Sequence, residues 1–132
     1  MPKVLFICSG NVARSQMAEA YYNHYTNSDN AISAGTLSHI PERYKALPQM
    51  IVDLMQEEGI DVSSQKPKLV TKEMVDSIDR LVIMCTKVQC PAFLMHSKKT
   101  TIYLDIEDPY GMDVDETRKI RDQIKERVLM IV

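Results

Sequence analysis

Apolar positions along the chain follow two rhythms, short unbroken runs and longer stretches spaced every three or four residues. Residues 3–7, KVLFI, form a short β-branched run that predicts a buried parallel strand. Residues 15–27, SQMAEAYYNHYTN, place Met17, Tyr21, Tyr22 and Tyr25 at mostly helical spacing, with Glu19 near the start. Residues 31–35, AISAG, read as a second strand closing on Gly35. Residues 36–47 are mixed and hold Pro41, which predicts a loop or a weak helix. Residues 48–59, PQMIVDLMQEEG, predict a helix with Pro48 in its first turn, a stripe of Ile51, Leu54 and Met55, and Gly59 as its stop.

The same reading gives a loop over 60–71, a short helix over 72–78 and a third strand over 80–85, RLVIMC. Residues 86–99 read as a loop with some helical content, 100–104 as a fourth strand and 105–113 as a turn-rich loop. Residues 114–132 predict an amphipathic helix with Ile120, Ile124 and Val128 on one face. Strands alternating with helices predict an α/β fold with a parallel sheet covered on both faces. In such sheets functional residues gather beyond the carboxyl ends of the strands. Cys8, Cys85 and Asp108 fall just after predicted strands, so one crevice can hold all three.

Composition narrows the function classes. A length of 132 residues predicts one domain over 1–132. The net charge of −2 gives no general attraction to nucleic acid. The opening run MPKVLFIC is too short for a signal peptide or a membrane span, so the expected compartment is the cytoplasm and no membrane partner is expected. Three cysteines in a reducing compartment are expected to be thiols rather than structural disulfides.

The stretch CSGNVARS, residues 8–15, carries the candidate chemistry. A cysteine between a strand and a helix faces the helix N-terminus, whose unpaired N–H groups favour an anion and hence the thiolate. Gly10 permits a left-handed or otherwise strained backbone. The amides of Ser9, Gly10, Asn11, Val12, Ala13, Arg14 and Ser15 can then converge as an anion nest. The planar fork of Arg14 can grip two oxygens of a tetrahedral oxyanion. Ser15 can donate to the thiolate, and Asn11 can tie the loop through side-chain to backbone bonds.

CSGNVARSQMAEA resembles the C-x-G-N-x-x-R-S signature of the low-molecular-weight protein tyrosine phosphatase superfamily. SAG (33–35), GIDVS (59–63) and EDPYG (107–111) fall in that family's order, so the resemblance spans nearly the whole chain. It implies a three-layer fold with a four-stranded parallel sheet flanked by helices. It further implies a covalent intermediate on Cys8, an oxyanion held by Arg14 and the loop amides, and an acid at Asp108. Pro109 biases Asp108 toward extended backbone, and Asp105 and Glu107 are less well matched to that role. Tyr110 can line the entrance and stack on an aromatic substrate.

The resemblance divides at Cys85 and Cys90. Phosphatases of the superfamily commonly carry aspartate at the first position. The thioredoxin-coupled arsenate reductase branch carries cysteine there and another a short loop later, as in CTKVQCP (85–91), and RSQMAE is similar to that branch. This implies reduction of arsenate to arsenite through Cys8, Cys85 and Cys90, recycled by thioredoxin without a cofactor. The alternative is hydrolysis of phosphotyrosine or small aryl phosphates through a Cys8 phosphoenzyme, with Cys85 and Cys90 as bystanders or protectors. Two further readings of that pair remain, ordinary buried thiols and a zinc site with His96, which would supply only three ligands at unusual spacing.

In the reductase branch a potassium ion can sit behind the nucleophile loop. Asn11, Glu19 and Ser33 match that site, but its fourth position is Lys68, so the expectation is an ammonium group in place of a metal. His24, His39 and His96 read as surface or half-buried residues. The methionines, Met50, Met55 and Met84 among them, read as core filler, and the charges of 115–127 as a solvated helix face.

Overall fold

In a computed structural model of the protein, strand β1 (Val4–Cys8) is buried along its whole length. Residues 3–37, 45–84, 94 and 98–132 are described. Neighbours flank β1 on both sides in a parallel sheet ordered β2 (Ala31–Gly35), β1, β3 (Arg80–Ile83), β4 (Thr100–Tyr103). The unbroken apolar run of residues 3–7 thus has its physical reason, since a central parallel strand is covered on both faces.

Side chains alternate between the two faces of β1. Val4, Phe6 and Cys8 join one core with helices α1 (Arg14–Thr26), α2 (Gln49–Gln56) and α4 (Val114–Leu129). Leu5 and Ile7 join a second core with Val75 of helix α3 (Lys72–Asp76), Ile78 and Leu94. Each fully buried side chain of this size contributes about 1.5–3 kcal/mol. The Phe6 and Tyr22 rings meet edge to face at 6.1 Å and help seat α1 on the sheet. Strand parity therefore turns Cys8 toward the α1 face and away from α3.

Observed ends differ from the predicted ones by a few residues. Cys8 is the last residue of β1, in register with Gly35, rather than the residue after the strand. Arg14 opens α1, and Pro48 stands just before α2 as its cap. The chain leaves α2 through a turn in which Gly59 adopts φ +73° and Ile60 N–H donates to Met55 O. Asp113 and Glu116 form a reciprocal capping box at the start of α4, which ends at Leu129 rather than at 132. Among the described residues, no helix is long and apolar enough to cross a membrane.

Two side-chain readings change. Tyr25 lies 43% exposed instead of extending the α1 core stripe, while the buried residues of α1 include Ser15 and Gln16. The charged run of α4 is not wholly solvated, because Arg121 is buried and donates to Leu54 O at 2.8 Å and to Glu57 at 2.7 Å. Arg118 donates to both oxygens of the same Glu57 carboxylate. These bonds from Arg118 and Arg121 hold the Glu57 carboxyl down to about 2 and fasten α2 to α4.

Candidate active site

The parity of β1 delivers Cys8, 2% exposed, to the foot of α1. Its sulfur lies 3.3 Å from the Asn11 N–H, which donates to it, and 2.9 Å from the Ser15 hydroxyl. Asn11, not Gly10, takes the left-handed turn, with φ +53°. Asparagine tolerates that region better than most residues, and here its side chain has distant partners that hold it there. Its Nδ2 donates to Ser15 Oγ at 2.7 Å and to Ser33 Oγ at 3.1 Å, while its Oδ1 accepts from Lys68 N–H at 2.9 Å. The expected ties from Asn11 therefore run largely to side chains of other elements. Ala13 occupies the cap position of α1 and offers no side-chain oxygen to the first-turn amides. This arrangement favours an anion at the helix N-terminus.

Arg14 is buried, and both terminal nitrogens of its guanidinium meet oxygen. Nη1 donates to Met84 O at 2.7 Å and to Ile106 O at 3.3 Å, and Nη2 donates to Ser9 Oγ at 3.1 Å. The same Nη2 faces Asp108 Oδ2 at 3.6 Å. These contacts fix the plane of the fork before any ligand arrives. Asp108, 57% exposed at its side chain, also accepts from Tyr110 N–H at 3.0 Å in a tight Asx turn.

Cys8, the loop through Arg14, Asp108 and Tyr110 line one cavity of about 310 Å³. Asp105 and Glu107 do not line it. Tyr110 also lines it and is 87% exposed. Leu37, Pro48, Met50, Ile51 and Met112 line the same cavity and supply an apolar wall. Met50, read as core filler, is in fact a half-exposed wall residue, whereas Met55 and Met84 are buried in the core. The wall was hidden in the sequence because a core stripe and a pocket lining share one helical period.

Behind the loop, Ser33 Oγ donates to Glu19 Oε1 at 3.0 Å, and Lys68 Nζ lies 3.9 Å from the same oxygen. Burial raises the Glu19 carboxyl and lowers the Lys68 ammonium, so each group moves toward its neutral form despite the pairing. Asn11, Glu19, Ser33 and Lys68 thus come together, with the lysine side chain beside the carboxylate. Sequence reasoning missed Gln16, which is fully buried and bonded to both Asn11 and the 60–71 segment. Cys85, Cys90, His39 and His96 lie outside the described residues. Met84, just before Cys85, donates from its N–H to Ile7 O at 2.7 Å, which sets it level with Cys8 on the neighbouring strand.

An arsenate reductase of Brevibacillus brevis is 31% identical over 128 residues, covering 95% of this chain and 90% of that protein. A solved arsenate reductase in the phosphate-binding state superposes with a TM-score of 0.83 at 28% identity, covering 99% of this chain and 96% of that one. A thioredoxin-dependent arsenate reductase of Corynebacterium glutamicum gives 0.77 at 27% identity, covering 99% of this chain and 60% of that one. The family model for low molecular weight phosphotyrosine protein phosphatase matches residues 3–131. The chain is a member of that low-molecular-weight phosphatase family.

Proposed function

We propose that the chain reduces arsenate to arsenite through a thiol relay recycled by thioredoxin. The observation that carries oxyanion chemistry is the meeting of Cys8, the α1 N-terminus and the pre-oriented Arg14 at one end of one cavity. In this reading the loop amides from Ser9 to Ser15 and Arg14 hold the anion, and Cys8 attacks arsenic. Asp108 supplies the proton with which water leaves. Cys85 then attacks the Cys8 sulfur, and the electron pair of the sulfur–arsenic bond passes to arsenic, reducing it by two electrons. Arsenite departs and a Cys8–Cys85 disulfide remains. Cys90 attacks Cys85, frees the Cys8 thiolate, and leaves a Cys85–Cys90 disulfide for thioredoxin.

One observation supports the relay: the relatives named as arsenate reductases cover nearly all of this chain. Such a relay works in a reducing compartment, and the reading takes the chain to be cytoplasmic. It also takes the Lys68 ammonium to replace a bound cation beside Glu19, so added potassium should leave turnover unchanged.

A second reading has its own observation. In an in-line displacement the leaving group points away from the nucleophile, and the cavity that holds Cys8 is also lined by the apolar wall and Tyr110. Arsenate has no apolar part to fill it, whereas an aryl phosphate ester does. Mass spectrometry after one equivalent of arsenate separates the two. A Cys85–Cys90 disulfide is expected for the reductase, and three free thiols would leave the phosphatase. Cys85→Ser and Cys90→Ser should end arsenate turnover and spare hydrolysis of an aryl phosphate.

A further inference from the structure

We propose that Gln16 is a positioning residue for Cys8, acting through Asn11 and Ser15. Gln16 lies one residue past the nucleophile loop and is fully buried. A buried amide needs all its partners, and this one finds them outside its own helix. Its Nε2 donates to Lys66 O at 2.9 Å, to Asn11 Oδ1 at 2.9 Å and to Asn11 O at 3.2 Å. Its Oε1 accepts from Gln65 Nε2 at 2.6 Å, and its backbone carbonyl accepts from the same nitrogen. The segment from Gln65 to Lys68 is thereby strapped across the back of the loop, and its Lys68 O accepts from Gly35 N–H at 2.8 Å.

The bonds also fix proton directions. Lys66 O can only accept, so the Gln16 atom facing it is the NH₂ group. Lys68 N–H can only donate, so the Asn11 atom facing it is the oxygen. Gln16 Nε2 donates to that same oxygen, and flipping the Asn11 amide would set its NH₂ against two donors. With the oxygen so held, Asn11 Nδ2 points at Ser15 Oγ and donates to it. Ser15 has accepted that bond, so its own proton is free to point at the Cys8 sulfur, 2.9 Å away. Gln16 is one of three restraints on the flip, beside the Lys68 N–H and Ser33, whose proton goes to Glu19 and whose oxygen accepts from Asn11 Nδ2. A flipped Asn11 would draw the Ser15 proton to its own oxygen and strip the thiolate of a donor.

The inference rests on Cys8 being the nucleophile but not on the identity of the substrate. Its test is alkylation of Cys8 by iodoacetamide at neutral pH, followed by mass spectrometry of the Cys8 peptide. Gln16→Met keeps the volume and removes the bonds. Alkylation of Cys8 should slow about tenfold, the effect of losing one hydrogen bond to a charged group. The far-ultraviolet thiolate absorbance should fall with it. In the Ser15→Ala background Gln16→Met should add less than about twofold, because both changes remove the same donor. Steady-state kinetics should show kcat falling about tenfold with KM changed less than about threefold, since the anion-binding amides stay in place.

If Gln16→Met does not fold, Gln16→Asn repeats the test by withdrawing the amide from Asn11 by one methylene. A variant that loses thermal stability but alkylates within about twofold of the parent would overturn the proposal. Additive effects of Gln16→Met and Ser15→Ala would overturn it too. Alkylation needs no turnover, so failure to reduce arsenate would sink the functional reading and leave this test standing.

Discussion

The two loops that face each other across the cavity are built on opposite terms. On one side, residues 8–15 bury Cys8, Asn11, Arg14 and Ser15, and each polar side chain among them has a fixed partner. On the other, Asp108 is more than half exposed and Tyr110 almost wholly so, and the turn closes on Gly111 at φ +80°. An anion is stabilised most when its donors need no rearrangement as charge develops, which asks for rigidity on the first side. The leaving-group side must admit water or an organic group and let it go, which asks for solvent and room. In the proposed reaction the buried loop selects charge and tetrahedral shape, while the open loop selects the leaving group.

Substitutions can break that asymmetry, and the largest effect belongs to the buried side. Cys8→Ser should remove both arsenate reduction and aryl phosphate hydrolysis, a loss of about four orders of magnitude or more in kcat by steady-state assay. Arg14→Lys keeps a charge but loses the fork that spans Met84 O, Ile106 O and Ser9. It should lower kcat/KM for both substrates by about 100- to 1000-fold. Asp108→Asn, on the open side, should cost about 100-fold in kcat. That loss should shrink for an aryl phosphate with a strongly acidic leaving phenol, which needs no proton. An equal loss for every leaving group would end the case for Asp108 as the acid.

Smaller effects sharpen the comparison. Tyr110→Ala should raise KM for an aryl phosphate about fivefold through lost ring contact and leave KM for arsenate unchanged. Away from both loops, Glu57→Gln should lower the melting temperature by about 2 °C at neutral pH without changing kcat. The Glu57 carboxyl is lowered from 4.5 to about 2 in the folded chain. Its contribution is therefore present above the unfolded value and fades as pH falls toward the folded one. Thermal melts of the two proteins should converge over that interval, and a constant gap would refute the linkage.

Local patterns are legible in the sequence alone. The run KVLFI marks a doubly covered strand, the period of 114–132 marks an amphipathic helix, and CSGNVARS marks an anion loop on a strand-to-helix turn. Each of these depends on neighbours within a few residues, where periodicity and turn chemistry act. Helix ends are less legible, because α2 stops where Arg118 and Arg121 engage Glu57 and where Gly59 turns, and only the second cause is local.

Residue order alone carries the succession of elements, the chemistry of the nucleophile loop and the three cysteines on which a relay could be built. How that loop is held is a matter of tertiary contacts. Arg14 is oriented by carbonyls 70 and 92 residues away in the chain. The left-handed turn falls on Asn11, whose side chain meets Ser33 and Lys68. Gln16 and Arg121 are polar residues buried where distant carbonyls await them. The reason is common to all four cases. A buried polar group is stable only when it finds its hydrogen-bond partners, and those partners come from segments that folding alone brings together.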